Sequence, residues 1–258
     1  MSGSGVPAGI WPANLAAMLL GVLMAAAALT RRRVASVGRG SPGWVVPVGL
    51  ALLATTLLAP GAEGVHRWLP LGPLRLHAGA LVLPPLLVVL AEAPWTVSVA
   101  TASTALLVLL LQPDAAQAAS FCAGWIVLAA ARRERGSPGV ILASAAVAAA
   151  SLFRPDPLGS VPHVEGILGL AAAQGQLMAG AGLISLAALP LGFMLFVERP
   201  LGLALAAYTA GALGAAWLGN YPVPMLGYGV SPILGYYFAV AAGAAPHPAR
   251  VPPPEARS

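Results

Sequence analysis

Residues 76–111 read LHAGALVLPPLLVVLAEAPWTVSVATASTALLVLLL, and a single charged side chain, Glu92, interrupts these 36 positions. A helix that crosses a membrane needs about 20 mostly apolar residues, because the hydrocarbon core is roughly 30 Å thick. The stretch therefore divides into two spans, 76–93 and 95–111, separated at Pro94. The same ruler gives seven more, at 11–30, 43–60, 117–131, 138–153, 174–197, 201–219 and 230–245. The breaks between them are charged or rich in Pro and Gly, as expected where a chain leaves lipid.

Composition agrees. Charged residues make up 8% of the chain and apolar residues 59%, whereas a soluble domain is about a quarter charged. So few charges cannot cover a water-facing surface. The sequence predicts an all-α polytopic membrane protein with about nine transmembrane helices. Residues 1–245 are expected to form one helical bundle, and the proline-rich segment 246–258 a disordered tail. The 13 basic residues are all arginines, too dispersed for a nucleic-acid footprint, so no nucleic-acid partner is expected. The one cysteine, Cys122, excludes a disulfide within the chain. Residues 1–14 lack a basic segment before a short core, so no cleavable signal peptide is expected. Abundant Gly and Ala along the spans suit close helix packing in lipid.

Arginine asymmetry sets the expected orientation. With nine spans, Arg31, Arg32, Arg33, Arg39, Arg132, Arg133, Arg135, Arg199, Arg250 and Arg257 fall on one side, and only Arg67, Arg75 and Arg154 on the other. The richer side is the cytoplasm, which puts the N-terminus outside and the C-terminus inside.

On that reading the remaining chemistry collects in outer loops. These are residues 61–75, Gln112-Pro113-Asp114, residues 154–165, and residues 220–232. Each polar residue has a plainer reading beside the functional one. Arg67 and Arg75 can snorkel to headgroups. Trp68 can anchor in an aromatic belt. Asp114 and Glu165 can each cap the helix that follows. His163 has no partner residues in sequence that would make a metal site, so no metal is expected.

Four stretches, taken in order, resemble the SEDS family of bacterial cell-wall polymerases (the FtsW/RodA/SpoVE type). Gly64-Val-His-Arg67-Trp68-Leu-Pro-Leu-Gly72 is similar to that family's Gly-x-x-Arg-Trp loop, and Gln112-Pro113-Asp114 to its Gln-Pro-Asp motif. His163-Val164-Glu165 falls where the family has His-Thr-Asp. Pro224-Met-Leu-Gly-Tyr228-Gly229-Val-Ser231 resembles its Pro-Phe-Ile-Ser-Tyr-Gly-Gly-Ser loop before the last helix. Family members have ten spans with both ends in the cytoplasm, so nine spans fit a chain without the first helix. The departures are specific. His77-Ala78-Gly79-Ala80 stands where the family has Gln-Pro-Ser-Glu with a lysine beyond, and Ala115-Ala116-Gln117 replaces Leu-Gly-Thr. The large outer loop is reduced to about a dozen residues, and Glu165 replaces the catalytic aspartate.

The resemblance implies a protein of the bacterial cytoplasmic membrane engaged in cell-wall synthesis, division or shape. It would act on, or bind, a sugar carried on a polyprenyl diphosphate at the outer face. Joining such sugars needs a carboxylate to take the proton from the attacking hydroxyl. It also needs fixed positive charge for the departing diphosphate, a task for which arginine's planar fork is suited. By resemblance Glu165 is the candidate base. Arg67, Arg75, Arg154, Asp114, Tyr228 and Ser231 are candidate substrate-binding residues, with Asp114 and Asp156 cast as orienting an arginine. No cofactor is implied. The expected partners are the lipid bilayer, a polyprenyl-diphosphate-linked sugar and a cell-wall synthesis or division protein. If the resemblance is real, Arg67, Asp114 and Glu165 should gather around one cleft. Two other readings stay open: a non-catalytic relative that binds the lipid-linked glycan or a partner, and a transporter. The last is disfavoured by the lack of repeats and of charge inside the spans.

Overall fold

The computed structural model describes residues 10–34, 43–72, 74–159, 161, 163–218, 221–227 and 229–243. The tail, Tyr228, Arg39, Arg250 and Arg257 lie outside the described residues. Ten α-helices and one short β-hairpin are formed among them. Nine of the helices fall on the nine stretches expected to span: α1 (Ile10–Val34), α2 (Val45–Thr55, extended by a 3-10 turn to Leu58), α3 (Ala78–Glu92), α4 (Trp95–Leu111), α5 (Ala115–Arg132), α6 (Ser137–Ser151), α8 (Gln176–Phe196), α9 (Leu201–Leu218) and α10 (Val230–Gly243). The tenth, α7 (Ile167–Ala173), is too short to cross a bilayer. Four helices are both long and apolar enough to cross alone, those within α1, α5, α8 and α9, and the other five are shorter apolar helices. The chain is an all-α polytopic membrane protein, apart from its one hairpin.

α3 is the axis of the bundle. Nearly all of its residues are buried, Pro84 and Pro85 included. Proline inside a helix forfeits a backbone hydrogen bond. In a membrane this is tolerated where neighbouring helices surround the freed carbonyls. α3 packs against α2, α4, α5, α9 and α10, and α1 lies outside α10. α5 packs on α6 and α9, and α8 lies outside α9 with only α7 as a further companion.

The Gly-rich composition shows its use at the crossings. A β-carbon on Gly235 of α10 would stand 2.1 Å from the Ala80 carbonyl oxygen of α3. One on Gly211 of α9 would stand 2.9 Å from the Ser120 backbone of α5. Without a hydrophobic drive between helices in lipid, such backbone approach is what lets dispersion hold the bundle.

The hairpin was not expected from the sequence. β1 (Trp68–Leu71) and β2 (Leu74–His77) pair antiparallel, with Trp68 opposite His77 and Leu71 opposite Leu74. Gly72 at φ +60° supplies the positive φ that a two-residue hairpin turn needs at its first position. The alternation of Trp-Leu-Pro-Leu and Leu-Arg-Leu-His around Gly-Pro was the available signal.

Candidate functional site

The open ends of the hairpin strands fix the first two residues of the site side by side. The Ala78 N–H donates to the Arg67 carbonyl at 3.0 Å, closing the ladder just beyond Trp68 and His77. The Trp68 ring meets the His77 ring edge-on, with centroids 5.9 Å apart. Trp68 is thus packed on the site rather than serving only as a belt anchor.

Arg67 does not snorkel. It is 3% exposed, and its guanidinium is held by protein groups. Nη2 donates to the carbonyl of Pro113 and to Oδ2 of Asp156 at 2.5 Å. Nε lies 3.9 Å from Oδ1 of Asp114. The ring of Tyr221 stands 5.8 Å from the guanidinium carbon, within the range of cation–π attraction.

All three residues of Gln112-Pro113-Asp114 take part in this arrangement. Gln112, fully buried, donates to the Leu53 carbonyl at 2.8 Å and to the Thr56 hydroxyl at 2.5 Å, tying the end of α4 to the end of α2. Pro113 offers its carbonyl to Arg67. Asp114, 1% exposed, caps α5 by accepting from the Gln117 N–H at 3.3 Å. The capping reading of Asp114 is therefore correct, and its other oxygen is used differently. Oδ2 lies 3.4 Å from Nε2 of His77. Because the Ala80 N–H points at His77 Nδ1, the imidazole proton belongs on Nε2, facing Asp114.

Two further loops close the site. The His77 N–H donates to Oγ of Ser231 at 2.8 Å, which brings the first turn of α10 to the hairpin. Asn14 of α1 clamps the loop before α10 on both sides of Tyr228, donating to the Gly227 carbonyl and accepting from the Gly229 N–H, each at 3.3 Å. From the fourth loop, Glu165 does not cap α7. Its Oε2 instead accepts from the Val161 N–H at 2.5 Å. Burial pushes the Glu165 carboxyl above the usual glutamate range, opposed by the N–H groups of Val161 and Glu165.

Arg67, Arg75, Asp114, Glu165 and Ser231 line one cavity of about 250 Å³ at this end of the bundle. Arg154 does not; it is exposed, and the loop contributes Asp156 to Arg67 instead. The reason is spacing. Asp156 lies two residues along an extended segment, where the chain has turned back towards the hairpin. Tyr228 lies outside the described residues. Sequence reading gave no role to His77, Tyr208, Tyr221 or Asn14. Tyr208 lies mid-helix in α9 and donates its hydroxyl to Gln117 Oε1 at 2.7 Å on the cavity floor. Among the described residues no group of three His, Cys, Asp or Glu converges as a metal site would require.

The class of molecule is a polytopic helical membrane protein with a small polar cavity, walled by arginines and carboxylates, at one end of its bundle. No family model and no curated protein sequence matches the chain. Solved structures do. The crystal structure of the Thermus thermophilus rod shape determining protein RodA superposes with a TM-score of 0.64 at 22% identity, over 94% of this chain and 88% of that one. An aspartate-to-alanine mutant of the same protein gives 0.62 at 21%, over 94% and 89%. The chain has the RodA fold, the fold of the SEDS resemblance drawn from its loops.

Proposed function

We propose that this chain is a SEDS-like protein of the bacterial cytoplasmic membrane, working in cell-wall synthesis or cell shape. Its cavity receives a polyprenyl-diphosphate-linked sugar at the outer face, and Glu165 serves as the base in glycosyl transfer. The observation that carries this is the convergence of Arg67, Arg75, Asp114, Glu165 and Ser231, from four separate loops, on one cavity. A carboxylate raised by burial is a better proton acceptor than a free one.

The contacts divide the labour between the two arginines. Arg67 is matched by Asp114 and Asp156. Arg75 lines the cavity on the exposed side of the hairpin, with no carboxylate against it among the described residues. Arg75 is then the cation for the diphosphate, and Arg67 holds the loops in place. Arg75→Ala should weaken binding of polyprenyl diphosphate by about tenfold, the lower end for a charge-assisted hydrogen bond, and leave thermal unfolding unchanged. Unchanged affinity in reconstituted discs would remove Arg75 from the site.

A second reading, a non-catalytic binder of the same lipid or of a cell-wall or division partner, is favoured by one contact. The 2.5 Å bond from the Val161 N–H occupies one Glu165 oxygen that a base would need. Wild type that binds the lipid without polymerising it would select that reading.

The orientation belongs to the same proposal. A reporter active only in the cytoplasm should work when fused after Arg135 and fail when fused after Arg75 or within 154–163. Cytoplasmic activity after Arg75 would put the cavity on the wrong side for this substrate.

A further inference from the structure

The largest cavity is not the one at the loop end. A crevice of about 720 Å³ runs between α8 and α9 on one side and α1, α3 and α10 on the other. That volume lies inside the range of small-molecule sites, about 300–1,000 Å³. Its walls are apolar, with Leu189, Phe193, Leu205, Tyr236 and Ala239 among them, and its charged lining residues are three: Glu92, Glu198 and Arg199. These sit at the C-terminal end of α3 and at the junction of α8 and α9. α3 is 15 residues long, so about 22 Å of helix separates this mouth from His77. The mouth therefore opens at the opposite face of the bundle from the polar cavity. α8 leaves the crevice open to the side, since Ile184, Leu195 and Phe196 are exposed.

We propose that this crevice holds an acyl chain of a phospholipid with a primary-ammonium headgroup, phosphatidylethanolamine. An apolar slot open towards lipid is filled by a lipid chain, because water gains no hydrogen bonds along such walls. The three charged groups choose the headgroup. Two carboxylates accept charge-assisted hydrogen bonds from a primary ammonium, and one guanidinium meets the phosphate. An anionic glycerol headgroup offers its charge to Arg199 but meets a rim with one more negative charge than positive. A trimethylammonium headgroup has no N–H to donate. The site is separate from the proposed outer cavity and does not depend on that cavity's substrate.

The test is native mass spectrometry of the full chain, reconstituted in an equal mixture of phosphatidylethanolamine, phosphatidylcholine and phosphatidylglycerol with the same chains. The expected result is retention of phosphatidylethanolamine several-fold above the other two. The Glu92→Gln/Glu198→Gln variant, which keeps the shape of the rim, should abolish that preference while binding at Arg75 is unchanged. Equal retention of the three lipids would overturn the proposal, as would a preference that survives in the glutamine variant. Displacement of the phospholipid by an equal amount of polyprenyl phosphate would also overturn it, and would make the crevice a carrier-lipid site instead.

Discussion

Glu165→Gln lowers polymerisation of a lipid-linked disaccharide by about a hundredfold or more, the range for loss of a general base, and leaves lipid binding nearly unchanged. Glutamine keeps the Val161 contact, because its amide oxygen can accept the same N–H, and removes only the proton acceptor. The measurement is turnover by purified protein set beside affinity for the lipid. The pH profile adds a second mark. Burial raises the Glu165 carboxyl, so the base is charged only above that raised value. Activity then falls with falling pH on a limb above the ordinary glutamate value of about 4.3. A variant as active as wild type would end the role of Glu165. If wild type is inactive yet binds the lipid, the binder reading stands.

Arg67→Ala carries the other large effect, and it falls on stability first. Arg67 and Asp114 are almost completely buried, and Asp156 is partly so. Truncating the arginine strands two carboxylates and the Pro113 carbonyl it served. Breaking a buried pair from one side costs about 3–5 kcal/mol, measurable as a lowered unfolding midpoint in detergent. Arg67→Ala combined with Asp156→Asn removes one stranded charge and recovers part of the loss. Arg67→Lys does not recover it fully, because one ammonium cannot reproduce the planar fork that meets Pro113, Asp114 and Asp156. If Arg67→Ala unfolds like wild type while losing only lipid affinity, Arg67 is the diphosphate ligand and Arg75 is not.

Several parts of the site were visible as residue types but not as contacts. Asp114 was legible both as a cap and as a site residue, since a carboxylate before an apolar run signals a helix start, and it is both. Arg154 and Asp156 are two positions apart in one loop, and only the fold decides which reaches the hairpin. Asn14 and Tyr208 gave no warning at all. A lone amide in α1 or a lone phenol in α9 acquires a role only when another helix brings it a partner.

The sequence by itself determined the membrane class and the nine apolar helices. These follow from local quantities: the length of each apolar run against the bilayer thickness, and the scarcity of charge. It also marked the loops that carry the chemistry, because polar residues are so few that their positions stand out. Only the tertiary structure decided which of them meet. The Arg67–Asp156 pair joins residues 89 positions apart, and the clamp from Asn14 to Gly229 joins residues 215 apart. Such contacts depend on helix crossings set by backbone approach, as at Gly235 against Ala80. The hairpin, too, was settled there. Four-residue strands are marginal alone, and this pair persists because Arg67, Ser231 and α3 hold its open end.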